Sequence, residues 1–553
     1  MKSKIIPPLF IILFSVLGMK AFLHPGLFTA HDIWHQVVRL YYYFQAVNDG
    51  QFPPYWIGQL ANNFGYPLFL FSYQLPWIIG TVFMKTGLDI ATAIKTLFFL
   101  SYLASGITMY FFVNNLLKNR LSALLSGILY LWLPYHFLII FVGASMGIAF
   151  VFTFLPLVLL GIHLLKEERI IGIAVLSAGL SGIILSHIMH LVFLFPLILI
   201  FFFWEFISSS KKGIFLKNIT FGLILTILLS SFYLIPAVYY NQFTRVHQET
   251  GFSELYKRNF INLNQLIYSK WGYGPIVNNA KNGESSFQLG LAQWISIIIL
   301  VLLIVSRKLS RFYRNLGISI LIIFATNVFL MLDYSKPIWN LLIKFTTVDF
   351  PFRLLLPTAF IASVSAGIVL VNIKKSLRTF VFILLILVTI YTNRNHINVN
   401  QYTNFPISTY LNIETEKTTN TYNEYLPIKA NGKLLDKPWD EIVGENISSS
   451  KMQQTTNLLS FNLNVTKEGT VSAGQFFFPG QNLYIDNRQI KFTADKEGRI
   501  NFIISPGIHK IAVKYQETLL IAISKVLTII GILIILIIFL KNLKLFRKDI
   551  TSN

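Results

Sequence analysis

Apolar runs of 17 to 25 residues recur along almost the whole chain. Twenty such residues in a helix cross the roughly 30 Å hydrocarbon core of a bilayer. Backbone polar groups in lipid must be bonded within their own segment, so runs of this kind specify helices. With 54% hydrophobic and only 13% charged residues, the pattern excludes a soluble enzyme and predicts a polytopic membrane protein. The net charge of +22 does not point to nucleic acid, because the basic residues lie mostly in short loops between apolar runs, the positive-inside signature of topology. Cysteine is absent, which rules out disulfides, thiolate metal sites and a cysteine nucleophile.

The basic clusters fix the expected path. They include Lys2/Lys4, Lys118/Arg120, Lys166/Arg169, Lys211/Lys212/Lys217, Arg307/Lys308/Arg311, Lys374/Lys375/Arg378 and Lys541/Lys544/Arg547. If all are cytoplasmic, each neighbouring pair encloses an even number of crossings. Crossings are expected at 5–23, 91–115, 121–139, 145–165, 170–186, 189–207, 217–240, 288–306, 315–332, 353–372, 379–392 and 519–540, about twelve in all. The run 68–84, with Pro67, Gln74 and Pro76, is short and broken, and is expected to be re-entrant or interfacial. Both termini then lie in the cytoplasm. The loops 24–90, 241–287 and 333–352 lie outside, with an exported segment 393–518. The first run follows Lys2 and Lys4 without a cleavage pattern and is read as a membrane helix rather than a leader.

Two outer segments have their own patterns. Residues 32–48 place Ile33, Val37, Leu40, Tyr41 and Phe44 on one helical stripe, which predicts an amphipathic helix along the membrane surface with Asp32, His35 and Arg39 on its other face. After Tyr391 the chain turns polar, and from about 457 it alternates with period two: Leu459, Phe461, Leu463 and Val465, then Ile500, Phe502 and Ile504, then Ile511 and Val513. A small antiparallel β-sandwich is expected there. The chain thus divides into a helical bundle over 1–392, a β domain over 393–518, and a last span with its basic tail over 519–553.

The expected outer face gathers the polar groups able to carry chemistry. Asp32 can serve as general base toward an acceptor hydroxyl or help hold a divalent cation; its structural alternative is the N-cap of helix 32–48. Arg353, in the run Asp349-Phe-Pro-Phe-Arg353 at a span's end, suits a phosphate clamp, against an anchor that snorkels to water. His31, Arg39 and His187 are positioned to bind substrate, although a histidine capping the hairpin Ser186–His190 is as readily structural. Trp271 and Tyr273, in Trp-Gly-Tyr-Gly, can stack on a sugar or sit as interfacial belt residues. No HExxH, GxGxxG or P-loop motif is present, and no resident cofactor is read beyond the possible cation.

Taken in order, these motifs resemble a known group. His31-Asp32, Gly50-Gln-Phe-Pro-Pro-Tyr-Trp56 and Gly65-Tyr-Pro-Leu-Phe69 are similar to the first outer loop of bacterial proteins of the glycosyltransferase C (GT-C) superfamily. The likeness is nearest to the group called membrane protein 6-pyruvoyl-tetrahydropterin synthase-related, a neighbour of YfhO-type proteins. Leu133-Pro-Tyr135, Ser186-His187, Phe232-Tyr-Leu-Ile-Pro236, Phe287-Gln-Leu-Gly290, Phe350-Pro-Phe-Arg353, Asn423-Glu-Tyr-Leu-Pro427 and Phe478-Pro-Gly480 follow in the same order. The resemblance implies a GT-C-like bundle and an inverting transfer of sugar from a polyprenyl-phosphate donor to an envelope glycan, lipid or protein at the outer face of the cell membrane. It makes Asp32 the catalytic candidate. Relatives often carry Arg-Gly-Ala-x-x-Glu after the Pro-Tyr motif, whereas Val142-Gly-Ala-Ser-Met-Gly147 lacks both charges. A lipid or glycan flippase, and a non-catalytic scaffold with a degenerate site, are the alternatives.

Overall fold

A computed structural model describes residues 2–246, 255–276, 284–344, 349–411 and 424–551. Among them, eight helices are long and apolar enough to cross a membrane: Ile90–Leu117, Met146–Lys166, His190–Ser208, Lys212–Phe243, Arg311–Met331, Pro351–Asn372, Lys375–Asn393 and Leu519–Asn542. A ninth is a pair, Arg120–Leu131 and Pro134–Val142, bent by 42°. The bend falls where Pro134 has no N–H to give and its ring crowds the preceding turn. The remaining expected crossings fall on Pro7–Gly18, Ile171–His187 and Leu291–Val305, which are shorter than the other spans. At 1.5 Å per residue, helices of this size fall short of a 30 Å hydrocarbon core by themselves. The broken run 68–84 becomes the short helices Leu68–Phe71 and Leu75–Lys85.

Helices Met146–Lys166 and Pro351–Asn372 form the centre, with 89% and 94% of their apolar windows buried, whereas Lys375–Asn393 and Leu519–Asn542 are peripheral at 17% each. Close approach needs small residues, and glycines supply it. A Cβ on Gly161 would lie 2.5 Å from the Leu176 backbone nitrogen, and one on Gly179 would lie 2.7 Å from that of Val158. These two contacts seat Ile171–His187 against Met146–Lys166.

The amphipathic segment is a helix over Ile33–Asn48, but its stripe faces protein rather than a membrane surface. Ile33, Val37 and Leu40 are fully buried, as are Val38 and Tyr43 beside them. Gly80 makes the room: a Cβ there would stand 2.7 Å from Leu40 Cδ1. Leu40 of the stripe packs on Leu75–Lys85, the element expected to be interfacial, while Tyr41 and Phe44 stay half-buried.

Among the described residues there are eleven strands. A short pair, β1 (Leu27–Phe28) and β2 (Tyr402–Thr403), ties the first loop to the segment after the bundle. Then come β3 (Ile442–Gly444), β4 (Ile447–Gln454), β5 (Leu458–Val465), β6 (Gly469–Phe476), β7 (Gln481–Ile485), β8 (Arg488–Ile490), β9 (Thr493–Ala494), β10 (Arg499–Ile504) and β11 (Gly507–Tyr515). They form antiparallel sheets in the orders β3-β6-β10-β9 and β4-β5-β11-β7-β8. Between the sheets lies one core, which contains every residue of the expected alternation from Leu459 to Val513.

The sandwich is bolted to the first loop. Asp49 accepts hydrogen bonds from the backbone N–H and hydroxyl of Thr456 at 2.9 and 2.7 Å. Phe476 N–H donates to Phe64 O at 2.8 Å, and buried Trp56 stacks between Phe478 and Tyr515. Asn423, the start of one motif, lies outside the described residues.

Candidate functional site

The site is built where the first loop meets the turn after the bent pair. A π-helical turn over Leu138–Val142 ends the second half of that pair and delivers residues 142–145 to Asp32. His31 N–H donates to Val142 O at 2.9 Å, Asp32 N–H donates to Gly143 O at 3.0 Å, and the Gln36 side chain donates to Ala144 O at 2.8 Å. Asp32 occupies the N-cap position of Ile33–Asn48, yet its carboxylate accepts no capping bond. It instead accepts a hydrogen bond from Ser145 Oγ at 3.2 Å. Burial pushes the Asp32 carboxyl above its ordinary range; Arg39, Ser145, His31 and Arg353 pull the other way and do not overcome it.

Two cavities meet at Asp32. One, of about 220 Å³, is walled mainly by apolar and aromatic residues, among them Leu138, Ile148, Phe287 and Phe352. The other, of about 160 Å³, is polar and is lined by His35, Gln36, Arg39, Tyr73 and His187. Asp32, Ser145, Ile148 and Arg353 line both. The acid and the arginine, 321 positions apart in the sequence numbering, therefore share their walls.

Arg353 is held from two sides. Its Nη2 pairs with Asp349 at 2.6 Å, its Nη1 stands 3.5 Å from His187 Nε2, and its guanidinium lies 5.2 Å from the Phe350 ring. Asp349 and Arg353 are both buried, and Arg353 Nε has no partner among the described residues. A buried N–H without an acceptor is costly, so a ligand oxygen accepting there would gain what the protein leaves unspent. His187 stacks on Tyr73 and makes an edge contact with His190, whose two ring nitrogens are buried and without partners among the described residues. On the opposite wall, Arg39 lies 6.0 Å from the Tyr73 ring, whose hydroxyl donates to Gln36. Burial and the Arg39 charge hold His35 down to about 3, so it is neutral near pH 7.

Gly147 lets the walls close. A Cβ there would sit 2.3 Å from Ser186 O and 3.0 Å from the Tyr73 ring. Any side chain at this position would push the His187 hairpin away from Asp32.

The aromatic run lies beside the cavities rather than in their walls. His31 Nε2 faces the carbonyls of Tyr273 and Gly274 at 3.3 and 3.1 Å. The Tyr273 hydroxyl donates to Asn398 O at 2.8 Å, and Trp271 packs edge-on against His396 at 4.3 Å. Ile276 and Ser285, at the two flanks of the undescribed stretch 277–283, do line the apolar cavity.

Ser145, Tyr73 and Asp349 join the site without having been singled out as site residues from sequence. Ser145 and Tyr73 carry no motif; Asp349 was legible, since it stands four residues before an arginine at a helix end, the spacing of an ion pair. An HxxxH spacing, not expected in this chain, does occur at His31 and His35, but His31 precedes helix Ile33–Asn48, so the two rings do not share a helix face. Their rings serve different neighbourhoods, and no cluster of three metal-capable side chains occurs among the described residues. Compared with known proteins, the chain matches no protein-family model and no curated sequence.

Proposed function

We propose that the protein transfers a sugar from a polyprenyl-phosphate donor to a cell-envelope acceptor, at a site formed by Asp32 and Arg353 on the outer face of a bundle of about twelve crossings, with the β-sandwich exported beside it. The observation that carries this reading is the shared cavity wall: one carboxylate of raised proton affinity faces a buried arginine with an unfilled N–H. The acceptor oxygen attacks the anomeric carbon, its proton passes to Asp32, and the bond from that carbon to the phosphate oxygen breaks. The electron pair leaves with the polyprenyl phosphate, whose added charge falls to Arg353 and Arg39. Raised proton affinity suits a base that must work near neutral pH. Pairing with Asp349 balances the Arg353 charge and leaves its Nε–H for a ligand oxygen. Asp32 also remains able to contribute one ligand to a divalent cation.

Purified protein offered radiolabelled polyprenyl-phosphate sugars and envelope acceptors tests the reading. Asp32→Asn is expected to lower transfer by about 100- to 10,000-fold, the worth of a general base. Equal transfer by both proteins removes Asp32 from the mechanism. No transfer from any donor favours the scaffold reading, to which the uncharged Val142 and Gly147 belong, or the flippase.

A further inference from the structure

The larger chamber beside Asp32, of about 220 Å³, has walls that a sugar cannot use. Leu138, Ile139, Ile148, Phe287, Phe350 and Phe352 make most of it. The three phenylalanines form one surface, with ring centroids 4.4 Å apart for Phe287 and Phe352 and 5.2 Å apart for Phe350 and Phe352. The polar side chains of its described lining are mostly engaged already. Ser285 Oγ donates to Gly274 O at 3.0 Å, Ser145 Oγ donates to Asp32, and His31 Nε2 faces the carbonyls of Tyr273 and Gly274. Asp32 and Arg353 remain, both at the border with the polar chamber. A hexose placed in this space would bury hydroxyls that find nothing to bond, and each unmet group is costly. A hydroxyl on a hydrocarbon stem brings one polar atom, which reaches Asp32, while its carbon fills the rest.

Depth points the same way. His187 closes helix Ile171–His187, Ser145 precedes Met146–Lys166 and Arg353 opens Pro351–Asn372. Counted from the helix ends beside Arg169, Lys166 and Lys374, a rise of 1.5 Å per residue lifts the three residues by about 24, 31 and 28 Å, and any tilt brings them lower. A hydrocarbon core is about 30 Å thick, so the chambers lie where acyl chains meet headgroups rather than in the water above. His31 is exposed and Ile276 and Phe350 are half-buried, which marks a rim where the remainder of a long molecule leaves the chamber.

We infer that the apolar chamber takes the acceptor, and that this acceptor is a lipid alcohol, a membrane lipid whose free hydroxyl sits on a bare carbon stem. The inference rests on the transfer reading above and names its acceptor. In a direct displacement the attacking oxygen and the leaving phosphate stand on opposite sides of the anomeric carbon. With Arg39 on the polar side, the lipid hydroxyl approaches from the apolar side, gives its proton to Asp32 and forms the new glycosidic bond as the bond to the phosphate oxygen breaks. The product is a glycolipid and the polyprenyl phosphate leaves with the electron pair.

Full-length protein in phosphatidylcholine nanodiscs, a lipid without a free hydroxyl, would be exposed to hexadecanol carrying a diazirine close to its hydroxyl. Parallel samples would receive methyl palmitate and a methyl glucoside bearing the same group. The alcohol is expected to label Leu138–Val142, Phe287 and Phe350–Phe352 at least about tenfold more than either control, and unlabelled hexadecanol should compete where a soluble oligosaccharide does not. Ile139→Trp and Ile148→Trp, which fill the chamber from two elements, should each cut the labelling by about tenfold while thermal unfolding shows the variants folded. Equal labelling by the ester, or competition by the oligosaccharide, overturns the inference. A second arm adds a radiolabelled polyprenyl-phosphate sugar: label is expected in a solvent-extractable alkyl glycoside, and equal label in the oligosaccharide also overturns it. The transfer reading fails separately: if the alcohol labels the chamber and no acceptor of any kind receives sugar, the lipid-alcohol site stands and the transfer does not.

Discussion

His163–Glu205 and Asp349–Arg353 are buried pairs at opposite ends of the bundle, each closed to 2.6 Å, and they differ in what surrounds them. His163 employs both ring nitrogens, one on Glu205 and one on a backbone carbonyl that can only accept. Arg353 cannot discharge itself. Each pair leaves one buried polar atom without a partner among the described residues, Arg353 Nε and Glu205 Oε2, but Arg353 also has a second acid across the cavity and stands where two chambers meet. A buried ion pair alone therefore says little about function; surplus donors beside empty space say more.

The largest effect that would break this contrast lies at the His163 end. Removing one member of a packed pair strands the other, and Glu205→Ala is expected to cost about 3–5 kcal/mol in thermal or denaturant unfolding. Replacing both, as His163→Leu with Glu205→Leu, should recover most of that loss, because leucines fill the space without charge to desolvate. A single variant as stable as wild type would show that this end is as open as the other. Asp349→Asn is the matching test at the site. There Asp32 and cavity water can answer the stranded arginine, so the loss should be smaller, about 1–3 kcal/mol. A cost equal to that of Glu205→Ala would mean that the cavity gives Arg353 no relief.

Acid sharpens the comparison further. His35 titrates near 3 in the fold against an ordinary 6.5. The unfolded chain therefore takes up its proton first, and the stability this neutral imidazole contributes is present above pH 6.5 and lost as pH falls toward 3. The slope is at most about 1.4 kcal/mol per pH unit from this group. His35→Gln should flatten it, by roughly 1 kcal/mol at one unit below the unfolded value, measured by unfolding across a pH series. A slope unchanged by the substitution would show that the polar chamber already admits the proton.

What the sequence disclosed follows from the range of the forces involved. Period-two alternation in 457–513 is a local signal and marked nine of the sandwich's core residues from Leu459 to Val513, while Val471, Ala473 and Leu483 of the same core went unmarked. Apolar length marked the long spans equally well, but three expected crossings proved short because length in sequence does not say where a helix stops. The stripe of Ile33–Asn48 was legible as a stripe and silent about its partner. Gly80, 40 residues past Leu40 in the numbering, decides that it packs on protein. Asp32 and Arg353 were visible as charges at apolar boundaries. Ser145 was not, since a serine in an uncharged turn means nothing until the turn is folded against His31-Asp32.

Ser145 also gives the smallest and most discriminating test. Asp32 has a folded proton affinity above its ordinary 3.8, so its carboxyl stabilises the fold while protonated, and that contribution is lost as pH rises through the raised folded value. Ser145 offsets part of the loss by donating to the ionised form. Ser145→Ala should therefore cost about 0.5–1.5 kcal/mol at neutral pH and less in acid, where the carboxyl carries its own proton. If Asp32 is the base, the same substitution moves the acidic limb of transfer to higher pH and leaves the plateau nearly intact, because the nucleophile's path is unchanged. A purely structural serine would lower the melting temperature without moving that limb. The pH profile of Ser145→Ala thus separates an Asp32 that accepts a proton during transfer from one that only closes a turn.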